Sequence, residues 1–203
     1  MFLILCGKSA SGKDTIAKRL CRRGFFQLLS YTSRPMRDCE KDFVDYVFLT
    51  KKDFERRISE GKFIEYRSYK TLVDGKEDIW YYGTPKHNID DMLTAGKDFV
   101  IVLDLDGAKA FMDYYGRENC LCCFIGSDKK TRTERAKKRA GFDQTEWDRR
   151  LEADDLAFNE DRLMELTDIA ILNGPFNNIS QAVSKIIDAV ECRFYEYDKE
   201  VKK

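Results

Sequence analysis

An α/β fold, a parallel sheet with helices on both faces, is what this chain predicts, and three observations carry the prediction. Apolar runs of strand length alternate with amphipathic helical segments, a rhythm that implies crossovers between parallel strands. The first run breaks directly into a glycine-rich loop and then a helix. Between positions 32 and 84 the rhythm stops, and a polar, arginine-rich stretch reads as a mixed α+β lobe inserted into the core.

Phe2 to Cys6 is an apolar run ending at Gly7, the pattern of a buried strand. Lys13 to Arg23 places Ile16, Ala17, Leu20 and Cys21 on one helical face. Phe25 to Tyr31 reads as a second strand and Thr32 to Tyr46 as irregular chain. Thr50-x-x-Asp53 has the form of a capping box, so a helix should follow, carrying Phe54 and Ile58 and closing at Gly61. Phe63 to Tyr82 is extended, with Asp74-Gly75 a hairpin-turn signal. Phe99 to Leu105, Cys120 to Ile125 and Ile169 to Leu172 read as strands. Ala108 to Tyr115, Lys129 to Arg139 and Thr145 to Leu166 read as helices. Ile179, Val183, Ile186, Val190 and Phe194 mark the stripe of a last amphipathic helix.

The 203 residues, 43% hydrophobic and 13% aromatic, suffice for one domain whose core needs no staples. The 36 basic and 36 acidic residues cancel, so bulk charge predicts neither nucleic acid nor an anionic membrane as a partner. No run approaches the ~18 apolar residues of a membrane span, and the opening run is too short for an export signal. The expected location is the cytoplasm, with the seven cysteines reduced. Cys120, Cys122 and Cys123 cluster on an apolar strand with no histidine nearby and read as packed thiols rather than metal ligands. His87, the single histidine, reads as a surface or loop residue. The cations from Lys129 to Arg139 lack interleaved aromatics, so a solvated helix face is the better reading than a nucleic-acid patch.

Gly7-Lys8-Ser9-Ala10-Ser11-Gly12-Lys13 fits G-x-x-x-x-G-K between a strand and a helix. In that setting glycines let the backbone wrap a phosphate, the helix start aims N–H groups at it, and Lys13 meets its charge. Position 14 is Asp, where the pattern has a Ser or Thr hydroxyl for Mg²⁺, and Thr15 follows. Phosphate binding stands, while direct contact between Asp14 and a metal stays open. Arg34 and Arg37, with Tyr46 further on, suit a second phosphate. Two phosphate sites in one chain suggest phosphoryl transfer between two nucleotides.

With these stretches in order, the chain resembles the guanylate kinase family. The resemblance runs through the phosphate loop, Ser30-Tyr31-Thr32-Ser33-Arg34-Pro35-Met36-Arg37-Asp38-Cys39-Glu40, Asp45-Tyr46-Val47-Phe48, Phe63-Ile64-Glu65 and Tyr81-Tyr82-Gly83-Thr84. It continues through Leu103-Asp104-Leu105-Asp106-Gly107, Arg149-Arg150-Leu151 and Ile171-Leu172-Asn173, covering roughly residues 2 to 194. It implies a three-layer P-loop NTPase fold in one domain: core 1–31, 85–134 and 148–194, GMP-binding lobe 32–84, helical lid 135–147. It also implies Mg²⁺-dependent phosphorylation of GMP and dGMP by ATP, in a monomer or homodimer.

Carried over by matching position, Arg34, Arg37, Tyr46 and Tyr82 hold the acceptor phosphate. Glu65 accepts from guanine N1–H and the 2-amino group, with Ser30, Gly83 and Thr84 at the base and Asp104 near the base or a metal-bound water. Gly7, Lys8, Ser9, Ala10, Ser11, Gly12, Lys13, Asp14, Thr15, Arg135 and Asn173 fall on the ATP side. Lys13, Arg135, Arg139 and Arg150 stabilise the moving phosphoryl group. Against adenine, which lacks guanine's paired donors, a buried Glu65 is left unpaired at a cost of several kcal/mol.

The sequence departs from the family pattern at Asp14, at Ala10 where a glycine is frequent, at Pro35-Met36 with Cys39, and at Tyr69 to Ile79, which is longer than usual. The last reads as a lengthened hairpin, either decoration or an altered substrate lid. Two other functions stay in view: a related kinase with another acceptor, and a catalytically inactive binding module. Such modules lose the phosphate loop, so Gly7, Gly12 and Lys13 favour the enzyme.

Overall fold

The computed structural model describes residues 1–38, 40–73, 76–86, 97–139, 141–175 and 179–201. His87, Cys39 and the turn Asp74-Gly75 lie outside them. Among the described residues, five parallel strands form the main sheet: β1 (Phe2–Cys6), β2 (Phe26–Gln27), β7 (Phe99–Val102), β8 (Cys120–Gly126) and β9 (Ile169–Leu172). Their order is β2-β7-β1-β8-β9, so β1 is central, with Leu3 in register between Val100 and Leu121.

The uninterrupted apolar run of β1 follows from burial on both faces. Alternate residues feed opposite layers. Phe2, Ile4 and Cys6 join Ile101 and Cys122 in one core, under α3 (Leu105–Tyr115), which contributes Phe111 and Met112. Leu3 and Leu5 join Ile16 and Leu20 of α1 (Lys13–Cys21) and Val183 and Ile186 of α7 (Ile179–Val201) in the other. Each fully buried Leu, Ile or Phe contributes about 1.5–3 kcal/mol of transfer free energy. Cys120, Cys122 and Cys123 are packing groups of β8, and burial pushes the Cys120 thiol up to about 12. The six described cysteines are free thiols. No helix among the described residues is long and apolar enough to cross a membrane.

A second sheet, ordered β4-β3-β6-β5, is built from β3 (Tyr31–Thr32), β4 (Val47–Phe48), β5 (Phe63–Val73) and β6 (Lys76–Pro85). Its helix, α2 (Lys51–Ser59), starts where the Thr50 hydroxyl accepts from the Asp53 amide at 3.1 Å. Phe54 then stacks on Phe63 and Tyr81, with centroids 4.5 and 5.4 Å away.

Two expectations are corrected. Phe25 to Tyr31 is not one strand, because Phe26–Gln27 pairs with β7 in the main sheet while Tyr31–Thr32 pairs with β4 and β6 in the second. Thr145 to Leu166 is not one helix. It divides into α5 (Gln144–Ala157) and α6 (Glu160–Leu166), because Phe158 leaves helical geometry and the Asn159 side chain caps the second helix by accepting from the Arg162 amide. The basic helix α4 (Lys129–Lys137) completes the set of seven among the described residues.

Candidate active site

The loop between β1 and α1 needs its glycines. Gly7 has φ +152° and Gly12 φ +100°, conformations that side chains rarely adopt. A Cβ on Gly7 would sit 2.5 Å from the Ile125 carbonyl oxygen, and one on Gly12 would collide with the Asn173 amide. Ala10 takes φ +59°, which explains why a glycine is frequent there and makes this position a strained tip. Its methyl is packed with Ala136, Trp147 and Leu151.

Side chains remote in sequence hold the loop in shape. Asn173 donates to the Ser11 carbonyl at 2.8 Å, and Arg135 spans the Ser11 and Asn173 carbonyls at 3.1 and 3.0 Å. Asp154 accepts from the Ser9 amide at 2.8 Å and from its hydroxyl at 3.2 Å, while pairing with Arg132 at 2.9 Å. Lys8 pairs with Asp155 at 2.5 Å. The Lys13 ammonium donates to the Gly7 and Lys8 carbonyls at 2.6 and 3.1 Å. Burial lowers its pKa, and Arg139 adds to that, while Asp14 and Asp154 pull it back up. Ser11 Oγ is buried in this loop with no hydrogen-bond partner among the described residues, a hydroxyl left over for a ligand beside Lys13.

The second sheet presents the arginine segment. Arg34 is 3% exposed and forks onto Glu40 with bonds of 2.9 and 2.8 Å, while its Nε donates to the Tyr82 hydroxyl at 3.0 Å. Its guanidinium lies 5.5 Å from the Tyr46 ring and 5.6 Å from the Phe48 ring. Arg37 binds the same carboxylate through its amide at 2.9 Å, and more loosely through its side chain at 3.4 Å. Burial, then Arg34, lowers the Arg37 pKa. Burial pushes the Tyr46 phenol up, so it stays a neutral donor.

At the other edge, Glu65 is 7% exposed and accepts from the buried Thr84 hydroxyl at 2.6 Å. Burial raises its pKa, Asp104 adds to the rise, and Thr84 and Arg67 oppose it. Asp104 caps α3 by accepting from the Gly107 amide at 2.6 Å and also accepts from the Tyr69 hydroxyl.

A cleft of about 270 Å³ joins these parts. Of the expected site residues, Gly7, Ser9, Lys13, Ser30, Tyr46, Glu65, Tyr82, Gly83, Asp104 and Arg150 line it. A neighbouring cavity of about 180 Å³ is lined by Asp14, Arg37, Tyr46 and Arg139. Arg34 and Thr84 instead hold the lining residues Tyr82 and Glu65, Arg135 and Asn173 hold the Ser11 carbonyl of the loop, and Asp14 and Thr15 lie exposed on the first turn of α1. The sequence reading left Glu40, Arg67, Tyr69, Arg132, Arg149 and Asp154 without a role. Local clues exist for Glu40, six residues after Arg34 on the same short segment, for Arg149 beside Arg150, and for Arg67 and Tyr69, spaced by two from Glu65 along one strand. Asp154 reaches Ser9 across 145 positions, which no local pattern shows.

Whether the donor set suits Mg²⁺ turns on oxygen ligands, which this hard cation prefers. Asp104 has both oxygens engaged, leaving the Asp14 carboxylate and Thr15 hydroxyl as exposed oxygens beside Lys13. That set fits a cation held largely through water and phosphate.

A family model described as guanylate kinase matches residues 1–190. A guanylate kinase of Latilactobacillus sakei is 32% identical over 200 residues, covering 95% of this chain and 91% of that protein. One from Clostridium tetani is 28% identical over 194 residues, covering 95% and 88%. Among solved structures, a guanylate kinase from Anaplasma phagocytophilum superposes with a TM-score of 0.69 at 25% identity, covering 95% of this chain and 85% of that one.

Proposed function

The chain belongs to the guanylate kinase family, whose members phosphorylate GMP, and from that premise we propose that it transfers the γ-phosphoryl group of ATP to GMP and dGMP in the cytoplasm, with Mg²⁺. The observation that carries the reading is a single cleft lined by both the loop lysine Lys13 and the buried carboxylate Glu65.

In this reading the loop amides and Lys13 bind the donor phosphates, and Tyr46, Tyr82, Arg37 and the Glu40-braced Arg34 bind the acceptor phosphate. An acceptor phosphate oxygen forms the new bond to the γ-phosphorus as the bond to the β,γ-bridging oxygen breaks, leaving GDP and ADP. The acceptor is already anionic, so no general base is required. Catalysis is positioning plus charge stabilisation. Lys13, Arg139 and Arg150 supply positive charge around the moving group, while Arg135 and Asn173 fix the loop from behind. Bound Mg²⁺ supplies charge neutralisation on the phosphate oxygens. The segment 135–147 acts as the lid and the second sheet as the acceptor lobe, both closing on the core to exclude water.

A coupled assay with Mg-ATP across GMP, dGMP, AMP, CMP, UMP and dTMP tests the reading. GMP or dGMP is expected to be the best acceptor, with AMP at least tenfold worse. Equal rates on AMP and GMP overturn base recognition by Glu65, and no turnover of any acceptor favours an inactive binding module.

Asp14 gives a second expected result. It is exposed and lines a cavity with Arg139 and with two ion pairs, Lys18 with Asp45 and Arg37 with Glu40, so cations other than a metal share its surroundings. A carboxylate in a first helical turn is favoured by the helix dipole by about 0.3–1 kcal/mol. Asp14→Ser and Asp14→Asn are therefore expected to keep kcat/KM within about tenfold, a loss of at most ~1.4 kcal/mol in transition-state binding. Mg²⁺ titration of turnover is the measurement. A hundredfold loss in both variants, with half-saturation shifted to higher Mg²⁺, assigns the metal to the carboxylate itself.

A further inference from the structure

We propose that Arg67 reads the acceptor edge of the purine, donating to the 6-oxo group while Glu65 takes the N1–H and 2-amino donors. This rests on the guanylate kinase reading above and deepens it by naming a second base-recognising side chain.

Residues on one face of a strand recur every second position. Glu65, Arg67, Tyr69 and Thr71 of β5 all line the cleft, so Arg67 shares the face that presents Glu65. The sheet order β4-β3-β6-β5 separates this edge from the arginine segment, since Arg34 follows β3 and Tyr46 precedes β4. Across the hairpin Glu65 stands opposite Thr84 and Arg67 opposite Tyr82, so Arg67 lies between the buried carboxylate and that tyrosine, and its place beside Glu65 on one strand face is what puts it within reach of the base.

The guanidinium is placed and underused. One terminal nitrogen donates to the Tyr66 carbonyl at 2.9 Å, while Nε is buried and has no hydrogen-bond partner. The nearest carboxylate oxygen, on Asp104, is 3.8 Å from Nε, beyond hydrogen-bond reach, and is taken by the Gly107 amide. The other oxygen of Asp104 is taken by Tyr69, whose ring also meets Tyr82 edge-on at 5.6 Å. Tyr69 and Asp104 are thus engaged with each other, and Arg67, which lines the cleft, keeps an Nε–H that no acceptor among the described residues takes.

The chemistry of guanine matches that donor. Its 6-oxo oxygen adjoins the N1–H that Glu65 accepts, so a ligand held by Glu65 needs a donor next to it. Of the two hydroxyls expected at the base, that of Thr84 is spent on Glu65 itself, and Ser30, which also lines the cleft, offers one neutral donor from beside β3 rather than from β5. An arginine is the side chain that best suits the O6 and N7 acceptors of guanine. Adenine carries an amino donor at the same position, so Arg67 and the 6-amino group would face one another donor to donor. Rejection of AMP then has two sources, the unpaired Glu65 and the opposed donors at Arg67.

The test is a cycle of two acceptors on wild type, Arg67→Ala and Arg67→Met, the last keeping the packing of the aliphatic stem. The acceptors are GMP and 6-thio-GMP, which retains N1–H and the 2-amino group but replaces O6 by sulfur, a poor acceptor. In wild type the sulfur is expected to raise KM tenfold or more. In both variants GMP KM is expected to rise tenfold or more with ATP KM unchanged, and the sulfur effect to shrink to about threefold or less, since a hydrogen bond to a charged donor is worth ~1.5–3 kcal/mol. An undiminished sulfur effect in both variants, with GMP still a substrate, overturns the assignment of Arg67 alone. Absence of GMP turnover in wild type overturns the guanylate kinase reading and this assignment together.

Discussion

Lys13→Ala is expected to lower kcat for GMP phosphorylation by about 10²–10³-fold, the usual cost of removing a group that meets charge developing in a transition state, with the fold intact. Among the described residues the side chain hydrogen-bonds to the Gly7 and Lys8 carbonyls and joins neither large hydrophobic core. The loop's shape is set elsewhere, by Asn173 and Arg135 on the Ser11 carbonyl and by Asp154 on Ser9. Truncation therefore removes a charge without removing the scaffold. Burial lowers the Lys13 pKa, and Asp14 and Asp154 oppose that shift without cancelling it. Steady-state kinetics alongside the thermal midpoint make the comparison. Unchanged turnover at an unchanged midpoint removes the loop lysine from the reaction. A loss confined to ATP KM makes it a binding residue only.

The parts of the molecule legible in the sequence are those specified by short-range pattern. β1 needed only its apolar run, and the phosphate loop only its glycines and Lys13 between a strand and a helix. The capping of α2 was legible at Thr50 and Asp53 because a cap is a contact three residues long. Phe25 to Tyr31 was misread because two-residue strands carry no periodicity of their own. Which sheet each joins depends on the register with Phe99 and with Gly83, far along the chain. The break between α5 and α6 had a signal that apolar spacing hides: Asn159 followed by Glu160 and Asp161, a capping residue with acids in the first turn. The braces of the site were not legible. Arg132 looked like one cation on a solvated helix, yet it is 3% exposed and bound to Asp154. A buried arginine is identified by its partner, and its partner lies on another helix.

Arg34→Ala and Arg37→Ala are expected to separate binding from folding. Both should raise GMP KM tenfold or more and leave ATP KM unchanged, Arg37 because it lines the cavity and its loss removes a charge-assisted contact worth ~1.5–3 kcal/mol, Arg34 because it holds the Tyr82 hydroxyl and Glu40 in place. Only Arg34→Ala should also unfold the protein more easily, by about 3–5 kcal/mol, the cost of removing one member of a buried ion pair. The asymmetry follows from Glu40. Arg34 forks onto it with two bonds under 3 Å, and their side chains are 2% and 10% exposed. Arg37 reaches it mainly through its own amide, which an alanine retains, and its side chain is 34% exposed. Burial raises the Glu40 pKa, but Arg34 and the Arg37 amide outweigh burial and leave it below the ordinary carboxylate value. The pair's contribution is therefore complete above the ordinary carboxylate range and is lost as pH falls through the lowered value. Denaturant melts at neutral pH, with GMP and ATP titrations of turnover, read both effects. Equal stability of the two variants contradicts the buried fork, and a rise in ATP KM in either moves the arginine segment to the donor side of the cleft.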